Sequence, residues 1–123
     1  MRPDVETATA RVIAVYARLT ESPGGVPLQK IEDELCVGYA HALAGDACLA
    51  EMEQRLQALV SDPSLGARRD LNSIAGEHAE LQRGVVALRR ELARLRREHD
   101  RLRAGAQAVM LASQPRELAP QRD

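Results

Sequence analysis

The sequence predicts an all-α protein in which a short N-terminal helix precedes a long antiparallel helical hairpin of the coiled-coil type. Apolar residues recur at alternating spacings of three and four through most of the chain, which is the period of amphipathic helices. The chain contains no Phe and no Trp and is dominated by Ala, Leu, Arg and Glu, a composition that favours helix over strand. We therefore expect one helical domain over residues 1–112, followed by a disordered tail over residues 113–123, which has no apolar period.

The first predicted helix spans residues 3–19. Its apolar stripe keeps the three-four spacing and consists of Val5, Ala8, Val12, Val15 and Leu19. The segment 21–27 ends this helix, because two prolines on either side of a glycine pair do not continue a helix.

The second predicted helix spans residues 28–60, and its apolar stripe is small in the middle. The stripe consists of Leu28, Ile31, Leu35, Gly38, Ala42, Gly45, Leu49, Met52, Leu56 and Leu59. If the third helix folds back through the turn at 61–64, Gly45 faces Val85 and Gly38 faces Leu92. Small residues opposite large ones allow close approach of two helices, which is the packing that we expect here.

The same small residues support a second interpretation. Gly38, Ala42 and Gly45 could leave a gap that holds a small ligand, with Tyr39 and His41 at its edge. Packing against the third helix explains the glycines without a ligand, so the pocket is the lesser hypothesis.

The third predicted helix spans residues 64–112 and carries one unbroken heptad series. The series consists of Leu71, Ile74, His78, Leu81, Val85, Leu88, Leu92, Leu95, His99, Leu102, Ala106 and Val109. A sustained series of this kind is typical of coiled-coil packing.

Part of this series also predicts a homodimer. In a parallel pair of third helices, Glu91 would meet Arg96 and Glu98 would meet Arg103 across the seam. The predicted seam consists of Leu81, Val85, Leu88, Leu92, Leu95, His99 and Leu102. Two hairpins could combine both arrangements in a helical bundle, and the sequence leaves open whether the seam pairs within the chain, with a second copy or with another protein.

The charges are divided between the two long helices, although the formal net charge is only −1. Residues 28–62 contain two basic and seven acidic side chains, whereas residues 68–103 contain ten Arg and six acidic side chains. The outer positions of the third helix form an arginine stripe of Arg83, Arg90, Arg94, Arg97 and Arg101. Together with Val109 and Met110, which extend past the start of the second helix, this stripe is the predicted partner-binding surface.

The three histidines and two cysteines predict no catalytic or metal site. Neither a CxxC nor an HxxxH spacing occurs, and no nucleophile with an orienting base can be identified, so we expect no enzyme activity, metal or cofactor. His78 and His99 occupy core positions of the heptad series. They are either polar core residues that fix the register or a pH switch in which protonation would charge a buried seam.

One segment, residues 12–35 with the sequence VIAVYARLTESPGGVPLQKIEDEL, resembles the opening of a winged helix-turn-helix regulator. The resemblance implies a tight turn at residues 36–39 and a DNA-recognition helix at residues 40–50. Residues 40–50 contain no Arg, Lys, Asn or Gln that could contact a base edge, which departs from that family's pattern.

Together these observations predict a non-enzymatic regulatory or adaptor protein of the bacterial cytoplasm that binds another protein. We expect neither a leader segment nor a membrane span, because no apolar run is long enough. A DNA-binding regulator with a coiled-coil dimeriser is the alternative, and a small-ligand sensor is the third hypothesis.

Overall fold

The structure is a computed structural model that describes residues 4–113, and all the regular secondary structure in this range is helical. Helix α1 spans Val5–Glu21, α2 spans Leu28–Val60 and α3 spans Leu65–Ser113. The all-α prediction is confirmed, and the helix ends differ from the predicted ones by at most two residues. The predicted disordered tail, apart from its first residue, lies outside the described residues.

Short-range polar contacts set the helix ends. Asp4 caps α1, since its carboxylate accepts a hydrogen bond of 3.0 Å from the backbone N–H of Thr7, and this N–H lowers the pKa of Asp4. Gly24 has a φ of +90°, which an L side chain rarely adopts, and it turns the chain towards α2. Ser64 caps α3 by accepting a hydrogen bond of 3.1 Å from the N–H of Ala67.

Helix α3 runs back along α2, in the register that the small residues predict. A Cβ atom added to Gly45 would lie 2.5 Å from Val85 Cγ2, and one added to Gly38 would lie 2.4 Å from Leu92 Cδ2. Both distances are far shorter than a van der Waals contact, so the two backbones come close only because these positions lack a side chain.

Helix α1 packs on both long helices and completes one core. The largest side chains with almost no exposed surface come from all three helices: Leu19, Ile31, Leu88, Leu92, Leu95 and Val12. Val5, the first residue of α1, lies over Gly84 of α3, where an added Cβ would be 2.9 Å from Val5 Cγ2. Helix α1 therefore covers the first half of α2 and the middle of α3.

The two ends of α3 lie beyond this three-helix region. With 49 residues, α3 is about 74 Å long, whereas α2 with 33 residues is about 50 Å long. Every residue from Arg103 to Ser113 is exposed, because neither α1 nor α2 reaches this part of α3. The C-terminal end of α3, residues 103–113, therefore projects from the bundle.

The predicted dimer seam lies within the chain's own core. Six of its seven residues are buried and Leu102 is half-buried. Val85 and Leu92 contact the glycines of α2, and His99 contacts Glu32. A parallel dimer through this seam would therefore compete with the contacts that fold the single chain.

Candidate protein-interaction site

The five arginines of the predicted stripe are all exposed, but two of them are engaged within the chain. The Arg94 guanidinium lies 4.3 Å from the centre of the Tyr16 ring and 3.6 Å from Glu91. Arg101 pairs with Glu98 one turn earlier on α3. Tyr16 and Glu98, respectively, are the first causes of the raised pKa of Arg94 and Arg101.

The other three arginines of the stripe lie in one line along α3. Within residues 4–113, Arg83, Arg90 and Arg97 make no ion pair, although each is exposed. They recur every seven residues, so they lie on one side of α3 about 10.5 Å apart. We call them the arginine line.

The projecting end of α3 is the most apolar exposed segment of the described chain. Val109 is 67% exposed and Met110 and Leu111 are each 68% exposed. No charged residue occurs from Ala104 to Ser113. Large exposed apolar patches of this kind are typical of interaction sites rather than of free surfaces.

The predicted ligand gap between Gly38 and Gly45 is filled, which corrects that hypothesis. Leu92 and Val85 occupy the space beside the two glycines, and Ala42 between them has no exposed surface. Tyr39 and His41 are only half-buried and lie outside this contact. The small residues serve helix packing.

An open cleft of about 420 Å³ lies instead between the start of α1 and α3. It is lined by Asp4, Val5, Glu6, Glu77, Glu80, Leu81 and Gly84. Four of these residues carry carboxylates, yet no group of side chains among the described residues could hold a metal ion. The lining includes no Ser, Thr, Cys, Lys or His.

The helix-turn-helix segment implied by the winged-helix resemblance is absent from residues 28–60. Helix α2 continues through residues 36–39, where that resemblance implies a tight turn. Gly38, the one residue there that could favour a turn, is buried against Leu92 and so stays helical. Residues 40–50 are the middle of α2 and not a separate recognition helix.

His99 is buried, but its partners reverse the predicted effect of protonation. Nε2 lies 2.9 Å from Glu32 on α2 and Nδ1 lies 3.1 Å from Asp100. Only the protonated ring can donate from both nitrogens, and Glu32 is the first cause of the raised pKa of His99. Protonation therefore stabilises this contact instead of breaking the core.

We expect the free energy of unfolding to fall as the pH rises from 6 to 8. Because the pKa of His99 is higher in the folded chain than the ordinary value of 6.5, its contribution is complete below that value and is lost as the pH rises through the folded-state pKa. His99→Gln should flatten the decrease, which we expect to be about 1 kcal/mol. Urea unfolding of both proteins across this pH range measures it; parallel curves would contradict the assignment.

Glu34 forms a buried ion pair that the sequence does not predict. The hairpin register places it near Glu91 and Glu98, but its carboxylate faces α1, 2.8 Å from Arg11 and 3.2 Å from Lys30. Burial raises the pKa of Glu34, and the hydrogen bonds from Arg11 and Lys30 outweigh this and lower it. The four-residue spacing of Lys30 and Glu34 could have predicted that ion pair from the sequence. The pair between Arg11 and Glu34 could not be predicted, because it depends on where α1 packs.

Comparison with protein-family models, with curated proteins and with solved structures finds no match to this chain. None of the helices in residues 4–113 combines the length and the apolar character that crossing a membrane requires. The surfaces described above are therefore the observations from which a function can be argued.

Proposed function

We propose that the protein is a non-enzymatic regulatory or adaptor protein that binds another protein through the projecting end of α3. The observation that supports this is the uncharged, exposed segment 104–113, in which Val109, Met110 and Leu111 lie in solvent. Burying this apolar surface on a partner would be favourable at about 25 cal/mol per Å². We further propose that α2 and α3 form a coiled-coil hairpin from which this end projects.

The chemistry of the end indicates the kind of partner. Ala106 and Val109 continue the heptad series beyond the core, so an amphipathic partner helix can pack on them in the same way. Arg103, exposed at the base of the projecting end, favours a partner with carboxylates beside its apolar face.

A photo-crosslinking residue at Val109 tests the proposal in cells. It should capture a defined protein that the same residue at Gln57, near the other end of the bundle, does not capture. The purified partner should then bind the chain, and Val109→Asp with Met110→Asp should weaken that binding at least tenfold.

Leu65→Asp with Val60→Asp is the matched control, because these two exposed apolar residues lie at the opposite end of the hairpin. The control pair should leave the affinity for the partner unchanged. Equal capture from both positions, or equal weakening by both pairs, would contradict the proposal.

A further inference from the structure

A second apolar surface lies on the α2–α3 pair, at the level of the bundle. Leu43 is 65% exposed and Val86 is 52% exposed. The contact between Gly45 and Val85 places the two residues at the same height along the helices. They do not belong to the end of α3 and have no role in the proposed partner binding.

An ion pair shows that Leu43 and Val86 share one side of the helix pair. Asp46 and Arg89 join α2 to α3 through two hydrogen bonds of 3.0 and 2.6 Å. Leu43 is three residues before Asp46 on α2, and Val86 is three residues before Arg89 on α3. Residues three apart lie on the same side of a helix, so Leu43 and Val86 lie on the side of the helix pair that carries this ion pair.

This side faces away from α1. Gly84 is the residue of α3 that contacts Val5 of α1. Val86 is two residues further on and therefore about 200° around the helix from Gly84. We call the surface opposite α1, centred on Leu43 and Val86, the back face.

On α2 the back face carries a second apolar stripe. Every exposed residue in the range 36–50 is uncharged: Cys36, Val37, Ala40, Leu43, Ala44, Ala47 and Ala50. Five of these, at positions 36, 40, 43, 47 and 50, repeat the four-three spacing of the buried stripe on the outside of the same helix. A helix with apolar stripes on both sides is typical of one covered on both sides.

The charges around the back face differ between the two helices. On α2 the stripe is bounded by exposed carboxylates at Asp33 and Glu51. On α3 the arginine line, Arg83, Arg90 and Arg97, runs beside Val86 and makes no ion pair within residues 4–113. The face is therefore acidic along one edge and basic along the other.

We propose that the back face binds the back face of a second copy of this chain, about a two-fold axis parallel to the helices. Such an axis places α2 of one copy over α3 of the other, so acidic edges meet basic edges. A two-fold axis across the helices would place α2 on α2 and α3 on α3, so that like charges would meet.

The register within the chain identifies the pairs. Gly38 lies level with Leu92, so five residues earlier Asp33 lies level with Arg97. The same count places Glu51 level with Ala79, about one helical turn from Arg83. In the dimer each of these arginines meets the carboxylate of the second copy, and Leu43 meets the region of Val86.

This dimer leaves the core of each chain intact, unlike a dimer through the heptad seam. The back face is small, and interfaces that bury less than about 1,200 Å² in total are typically weak, so we expect dissociation in the micromolar range. It also leaves the end of α3 free, and the two bindings can be measured separately.

Sedimentation velocity on the full chain between about 1 and 200 µM tests the proposal. We expect a monomer–dimer equilibrium that weakens with salt. Leu43→Asp with Val86→Asp should weaken the dimer at least tenfold and leave the thermal unfolding of the monomer unchanged, because both side chains are exposed. Val109→Asp with Met110→Asp should leave the dimer affinity unchanged. Loss of the dimer in this double variant, or a wild-type chain that is monomeric at all concentrations, would overturn the proposal.

A charge exchange tests the direction of the axis. Arg97→Glu should weaken the dimer about tenfold, since symmetry places the change in two contacts, and adding Asp33→Arg should restore it. Arg55→Glu is the control, because it makes the same change of charge away from the back face. Arg55 lies on the same side of α2 as His41, which faces Asp4 of α1, so this variant should leave the dimer affinity unchanged. Failure of Asp33→Arg to restore the dimer would overturn the proposed axis.

Discussion

Gly45→Leu is expected to lower the free energy of unfolding by about 3 kcal/mol, because the new side chain has no space between α2 and α3. A Cβ atom alone would already lie 2.5 Å from Val85 Cγ2, and the β-branched Val85 is stiff. Urea unfolding followed by circular dichroism measures the loss. Val85→Ala in the same chain should recover part of it by returning space to the contact.

Gly76→Leu is the matched control for this substitution. Gly76 lies in α3, and no atom beyond its own helix backbone and chain neighbours lies within 4 Å of an added Cβ. Leu is a better helix former than Gly, so here the same change should stabilise the chain by about 0.8 kcal/mol. If Gly45→Leu were as well tolerated as Gly76→Leu, the close packing of α2 against α3 would be disproved.

Leu92→Ala is expected to cost about 4 kcal/mol. Leu92 has no exposed surface and its side chain fills the space over Gly38, which cannot relax far into the cavity. Leu65→Ala removes the same atoms from a side chain that is 82% exposed, and we expect a change below about 0.5 kcal/mol there. Similar losses in both variants would show that Leu92 is not a core residue.

The pairing of α2 with α3 could be predicted because the sequence contains large and small residues in matching order. Two glycines and an alanine at consecutive stripe positions of α2 fit only the large residues that lie at the same distance from the turn at 61–64. The contacts of Gly38 and Gly45 confirm that register. Local patterns suffice when a short turn fixes the relation between two helices.

The position of α1 could not be predicted in the same way. Its stripe consists of small and medium apolar residues without a distinctive order, and the linker 22–27 does not fix a register. For this reason the sequence left unexplained the close approach of Val5 to Gly84 and the pairing of Arg11 with Glu34. The sequence also predicted Arg94 to be part of a free arginine surface, although its guanidinium lies over the ring of Tyr16.

The candidate interaction surface shows the same division. The exposure of Val109 and Met110 could be predicted from the helix lengths alone, because α3 extends past the start of α2. The back face could not be predicted, because the alanines on the outer side of α2 form only a weakly hydrophobic pattern. The structure shows that they are exposed together. Heptad position likewise identified His99 as buried but could not identify the two carboxylates that determine its charge.

The projecting end of α3 has a consequence for hydrogen exchange. An isolated helix of fewer than about 12 residues is marginal in water, and residues 103–113 are all exposed and include Gly105. Their amides should exchange through local fraying, orders of magnitude faster than those near Leu92, whose opening requires unfolding of the bundle. A partner that packs on this end must therefore supply the free energy that holds its last turns helical, and slowed exchange confined to residues 103–113 would mark the bound state.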